Sequence, residues 1–220
     1  MLGSLAGEGG GASAYFNMVE PEKTAALAQA FRPGDVFFDV GANVGFYTVL
    51  ASRLLGPRGK VIAFEPSVTN LVYLHRHVRL NKARNVLIVP AACSDVPSLE
   101  AFDAGPNRAM GHLVKKGPTG NAGEGDLSLV PTVTVDAAVQ KLGFSPDVLK
   151  IDVEGAEVSV LRGAEATIRS KKPEIFLEVH SPDLRSACLE ILGPLGYTFR
   201  TLSRDDAASA EDILASTRGG

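Results

Sequence analysis

Five residues near the start of this chain and three near its end have the types and spacing of a reaction site. Asp39, Gly41, Asn43 and Gly45 stand at alternate positions of DVGANVG, and Glu65 closes KVIAFE about twenty residues on. The two glycines let the backbone turn tightly and approach a ligand, and the Asp39 carboxylate suits an ammonium group. An acid such as Glu65 at the end of a second strand accepts the hydroxyls of a ribose. A dinucleotide fingerprint needs G-x-G-x-x-G, but Asn43 takes the place of the second glycine, and a carboxylate at Asp39 repels phosphates. S-adenosylmethionine carries both a ribose and an amino acid and satisfies both requirements. The plainer alternative is a strand-to-helix turn capped by Asp39, followed by an ordinary surface turn at Glu65-Pro66. Further on, LKIDVEGAE supplies Asp152, and FLEVH supplies Glu178 and His180 at alternate positions, hence on one strand face. Two carboxylates and an imidazole can take the proton of a hydroxyl while its oxygen attacks a sulfonium methyl. The same acids offer oxygen ligands to Mg²⁺ or Ca²⁺, so a divalent metal is an alternative, although no metal ligand set is assigned. Glu154 and Glu157 read as acids favouring the positive end of the following helix.

These residues need strands that end at one edge, and the chain supplies them by alternation. A helix is expected over Pro21–Phe31, a strand over Val36–Val40, and an apolar helical stripe from Phe46 to Leu55. GKVIAFEP then reads as a strand, Ser67 as the cap of a helix reaching Leu80, and NVLIVPAACS as a third strand. Residues 97–130 break the rhythm: LEAF and GHLV read as short antiparallel strands, and GPTGNAGEGD as a glycine-rich loop. Alternation resumes with a helix over Val135–Leu142, the strand DVLKIDV, a helix over Ala156–Ser170, the strand EIFLEVH, a helix over Leu184–Leu195 and the stretch GYTFRTL. Strands alternating with helices imply an α/β, doubly wound, mostly parallel sheet, whose ligands bind beyond the carboxyl ends of the strands.

With 220 residues, 45% of them hydrophobic, the chain fits one domain over 20–220, with an irregular insertion at about 97–130 and a disordered N-terminus over 1–19. A formal charge of -3 gives no global field for nucleic acid or an anionic membrane, and no run is apolar enough to insert into one. Two distant cysteines, Cys93 and Cys188, fit a reducing compartment, the cytoplasm by default. His75, Arg76, His77, Arg79, Lys82 and Arg84 form a basic helix face, read as solvated because no aromatic residues interleave with it.

Taken in order, DVGANVGFYT, VIAFEPS, PAACSD, LKIDVEGAE and IFLEVH resemble the FkbM-type S-adenosylmethionine-dependent methyltransferases over roughly residues 33–200. The resemblance implies a seven-stranded class I methyltransferase (Rossmann-like) sheet with a reversed last strand, for which DILASTRGG is the available segment. It implies O-methylation of a hydroxyl on a sugar or secondary metabolite, so the expected partner is a small-molecule or glycan acceptor. It maps Asp39, Gly41, Asn43 and Gly45 onto the loop holding the methionine portion and Glu65 onto the ribose acid. Ser94 and Asp95 fall where such folds contact the adenine amino group. A nicotinamide-dependent oxidoreductase and a non-catalytic adenosyl-ligand binding protein are the competing readings, the former opposed by Asn43.

Overall fold

The computed structural model describes residues 20–104, 111–114, 127–205 and 210–218. The expected disordered N-terminus and the glycine-rich loop of residues 117–126 lie outside them. Helix α1 (Pro21–Ala30) precedes β1 (Val36–Val40), α2 (Phe46–Leu55), β2 (Lys60–Phe64), α3 (Val68–Leu80) and β3 (Val86–Val89). Strands β4 (Ala92–Cys93), β5 (Ser98–Asp103), β6 (His112–Leu113) and β7 (Leu127–Val133) follow, then α4 (Val135–Leu142) and β8 (Val148–Ile151). The chain closes with α5 (Glu157–Gly163), α6 (Glu165–Lys171), β9 (Glu174–Val179), α7 (Pro182–Leu192), β10 (Thr198–Asp205) and β11 (Ala210–Ser216).

Seven strands form one sheet in the order β10-β11-β9-β8-β1-β2-β3. All neighbours are parallel except β11, which runs antiparallel to both β9 and β10. This is the Rossmann-like sheet with its reversed last strand, and that strand, β11, takes in the start of the DILASTRGG segment. The chain builds outward from β1 to β3 and then returns to lay β8 against β1, so strand order reverses between β1 and β8. A crevice opens at such a reversal, and the glycine turn and Asp152 flank it.

Successive residues of each central strand enter opposite layers. Phe38, Leu149, Ile175 and Leu177 pack with Val160, Ile168 and Leu192 from α5, α6 and α7. Phe37, Val148 and Phe176 pack instead with Leu27 of α1 and Ala51 and Leu55 of α2. Phe37 and Phe38 are both fully buried, and each contributes about 1.5–3 kcal/mol of burial free energy. By the same alternation, Asp39 lies on the α1/α2 side with Phe37, Lys150 with Val148, and Glu178 with Phe176. The site is therefore charged on the side that α1 and α2 cover.

Three elements depart from expectation. The single strand expected over NVLIVPAACS is two, β3 in the seven-stranded sheet and β4 outside it. The helix expected over Ala156–Ser170 is two short helices, interrupted where the Ala164 amide turns back onto the Leu161 carbonyl at 3.2 Å. The stretch expected to be irregular contributes a second sheet, in the order β4-β7-β5-β6. LEAF and GHLV do pair antiparallel, Phe102 facing Leu113, and Ala92, Phe102 and Val130 make a small core of their own.

Candidate active site

Glu65 is the anchor of the glycine turn. Its Oε2 accepts the Asn43 amide at 2.8 Å, and its Oε1 accepts the Ser67 amide at 2.8 Å and the Asn70 side-chain amide at 3.4 Å. Burial pushes its carboxyl above the ordinary range, against the pull of these donors. A carboxylate has about four acceptor positions, so three donors leave one for a ligand hydroxyl, and Glu65 lines the cavity. The turn itself needs its glycines: a Cβ on Gly41, at φ 77°, would overlap the Asp152 carbonyl, and one on Gly45, at φ 92°, would strike Leu74. Asn43 sits in the same left-handed region at φ 50° and closes the turn by accepting the Val44 amide at 2.8 Å. Gly41 and Asn43 line a cavity of about 440 Å³, a size suited to a nucleoside-sized ligand, while Gly45 lies just behind them as the cap of α2.

Asp39 does not face that cavity, which corrects the expectation that it meets an ammonium group directly. It is 0% exposed, accepts the Thr48 hydroxyl at 2.6 Å, and pairs with Lys150 at 3.4 Å. Lys150 does reach the cavity, bonds the Gly41 carbonyl at 3.1 Å and pairs with Asp152 at 3.1 Å. Burial opposes its charge, but Asp152 and Asp39 prevail and hold its pKa above the usual lysine range. A second ammonium caps the column from α1: Lys23, 1% exposed, binds Glu178 and sits 2.8 Å from Asp212 of β11. The Tyr47 ring lies 5.6 Å from Lys23 and 5.4 Å from Lys150, and its hydroxyl donates to Glu20.

The structure brings Asp152, Glu178 and His180 together, each offering an atom within 4.8 Å of the others. His180 nevertheless does not line the cavity. Its Nδ1 is 3.1 Å from Glu157, and its Nε2 is 3.3 Å from Glu154 and 3.6 Å from Glu178. Burial opposes the charged ring, but the bonds to Glu157 and Glu178 and the field of Glu154 outweigh it, so the imidazole is pushed up to about 10. An imidazolium has no lone pair for a proton, which corrects the expectation of His180 as a base at neutral pH. The same bond from His180, together with Lys23, holds Glu178 below the usual carboxylate range despite its burial. Each member of the trio thus already has a counter-charge, and a divalent cation there would have to displace a lysine or a proton.

Ser94 and Asp95 also lie off the cavity: the Ser94 hydroxyl is 3.1 Å from Asp95, and its amide is tied to Val133. Their neighbours Ala91, Ala92 and Cys93 form that wall, and Phe102 and His112 of the second sheet face it. The sequence reading missed Lys23 and Tyr47, gave Lys150 no part in the site, and took Glu154 only as an acid favouring the positive end of the next helix. Two signals were present. Lys150 and Asp152 share strand parity in an apolar run, and Lys23 occupies the same helical face as Ala26 and Leu27.

Residues 39–200 match the family model described as the methyltransferase FkbM domain. AMB antimetabolite synthetase AmbE of Pseudomonas aeruginosa is 29% identical over 185 residues, covering 67% of this chain and 8% of that protein. The 31-O-demethyl-FK506 methyltransferase FkbM of Streptomyces tacrolimicus is 27% identical over 209 residues, covering 80% of this chain and 76% of that one. Among solved structures, methyltransferase FkbM of Methylobacillus flagellatus superposes with a TM-score of 0.62 at 17% identity, covering 92% of this chain and 60% of that one.

Proposed function

The chain belongs to the FkbM methyltransferase family, and on that premise we propose that it transfers the methyl group of S-adenosylmethionine to a hydroxyl oxygen of a sugar or secondary metabolite. The observation that carries this reading is Glu65, a buried acid that grips the Asn43 amide of the glycine turn, lines the cavity and keeps one acceptor position for a ligand. The donor supplies an electrophilic methyl on a sulfonium, and the residues of this chain bind and orient around it. Glu65 takes a ribose hydroxyl. The Gly41–Asn43 turn, where no Cβ fits at Gly41, receives the methionine portion, and Asp152, 25% exposed, meets its ammonium. Lys150, beside Asp152, offers the methionine carboxylate a cation. Asp39 serves indirectly by fixing Lys150, and Ala91–Cys93 take the adenine against backbone and apolar surface. The hydroxyl acceptor is supported by the 31-O-demethyl-FK506 methyltransferase relative, named for an oxygen acceptor, and by a cavity wall carrying Asp152, Glu154 and Glu178, which can accept O–H donors.

The test is transfer of a labelled methyl group to a panel of methyl glycosides and hydroxylated macrolactones, with the labelled atom located by mass spectrometry and NMR. An O-methyl product is expected. Label on nitrogen alone, or binding of S-adenosylhomocysteine without turnover on any acceptor class, would overturn the reading.

A further inference from the structure

We infer that Glu154 is the catalytic residue that receives the acceptor's hydroxyl proton, an inference that rests on the hydroxyl-acceptor reading above. The backbone singles it out first. Glu154 lies at φ 53°, a left-handed conformation that a glutamate rarely adopts, and Gly155 after it is also at positive φ, 103°. The described residues contain five non-glycine residues at positive φ, and three of them, Glu20, Asn43 and Glu154, line the cavity. Such conformations persist where the surrounding structure fixes them, and they concentrate at functional sites.

Its neighbours exclude themselves by their partners. His180 is clasped by three carboxylates at 3.1–3.6 Å and keeps its proton. Glu178 spends one oxygen on Lys23 and sets the other against His180. Glu157 is 0% exposed, with Oε1 taken by His180 and by the Gly155 amide at 2.9 Å. Asp152 has its Oδ2 taken by the Lys150 ammonium at 3.1 Å. Glu154 has a single partner among the described residues, His180 Nε2 at 3.3 Å, and its side chain is 29% exposed. Its Oε2 is held by His180, and the residue lines the cavity.

The environment suits a proton acceptor. Burial raises the Glu154 carboxyl above the usual 4.5; His180 pulls it down, while Asp152, Glu178 and Glu157 push it up. In the reaction the acceptor oxygen forms its bond to the methyl carbon as the carbon–sulfur bond breaks, and that electron pair stays on sulfur. The hydroxyl proton passes to Glu154, giving a carboxylic acid, and leaves to water through the exposed side. His180 is a positioning residue that holds the Glu154 carboxylate by its Nε2.

Glu154→Gln removes the acceptor at constant size, and Glu154→Gly removes it while favouring the same backbone conformation. Both should lower O-methyl turnover on the panel above by roughly 10²- to 10⁴-fold, with S-adenosylhomocysteine affinity within about threefold of the parent. Turnover within about threefold of the parent in Glu154→Gln would overturn the inference. A second arm needs no acceptor: NMR titration of ¹³C-labelled glutamate carboxyls and of the histidine rings in the S-adenosylhomocysteine complex. Glu154 titrating above 4.5 with His180 doubly protonated at about pH 8 is expected. A neutral His180 at about pH 7 would return the base to the imidazole and sink the assignment. If the panel yields no O-methyl product, the hydroxyl reading falls by itself, and the NMR arm still decides between Glu154 and His180.

Discussion

Replacing Lys150 by Met removes an ammonium at nearly constant volume from the place where β1 and β8 part. Among the described residues, Asp39, 0% exposed, would then keep only the Thr48 hydroxyl as a partner, since Lys150 at 3.4 Å is its counter-ion. Breaking a buried pair from one side costs about 3–5 kcal/mol, because the remaining charge is stranded. Asp152 also loses its partner, but at 25% exposure it recovers hydration, so the cost falls chiefly on Asp39 and the lower end, about 3 kcal/mol, is expected. That is a large share of the 5–15 kcal/mol typical of a folded domain. With a urea slope of about 2 kcal/mol/M, the unfolding midpoint should fall by about 1.5 M. The double variant Lys150→Met with Asp39→Asn should regain more than half of the loss, because a neutral amide tolerates the site better than an unpaired anion. A single-variant loss under about 1 kcal/mol, or a double variant no better than the single, would refute the argument that Lys150 exists to neutralise Asp39.

Glu65→Ala should weaken S-adenosylhomocysteine binding by about 1.5–3 kcal/mol in calorimetry, the range for hydrogen bonds to a charged group; unchanged affinity in a folded variant removes Glu65 from the site. Gly41→Val should abolish binding or folding outright through overlap with the Asp152 carbonyl, and a variant that folds and binds normally would make the turn an ordinary one. The folded state raises His180 from 6.5 to about 10, so its stabilising contribution is complete below about pH 6.5 and is lost as pH rises through about 10. Urea midpoints should therefore converge for the parent and His180→Gln near pH 10.5, and a gap independent of pH would contradict the assigned proton.

The parts of this architecture that were legible in the sequence are those governed by period and turn chemistry. Strands β1, β2, β8 and β9 announce themselves as apolar runs, and DVGANVG announces the turn after β1 because glycines must occupy its tight positions. Glu65 was legible because it ends β2. What escaped is decided by tertiary partners. VFFDV is buried on both faces, so alternation alone does not tell whether Asp39 meets ligand or protein; Lys150, distant in sequence but opposite Asp39 in the register of β1 and β8, decides it. The same holds for Lys23, whose partners Glu178 and Asp212 come from β9 and β11. His180 shows the limit of residue type as a guide: an imidazole at a strand end suggests a base, but three surrounding carboxylates make it an acid that keeps its proton. The second sheet was only half legible, since LEAF and GHLV show strand character but nothing local indicates β7 as the strand joining β4 to β5.

If the crevice between β1 and β8 holds S-adenosylmethionine, a calorimetric titration of the parent protein with S-adenosylhomocysteine and, separately, with NAD will show it. Saturable binding of S-adenosylhomocysteine at one site per chain is expected, lost in Gly41→Val, with no comparable heat from NAD. Saturable NAD binding with no heat from S-adenosylhomocysteine would contradict it.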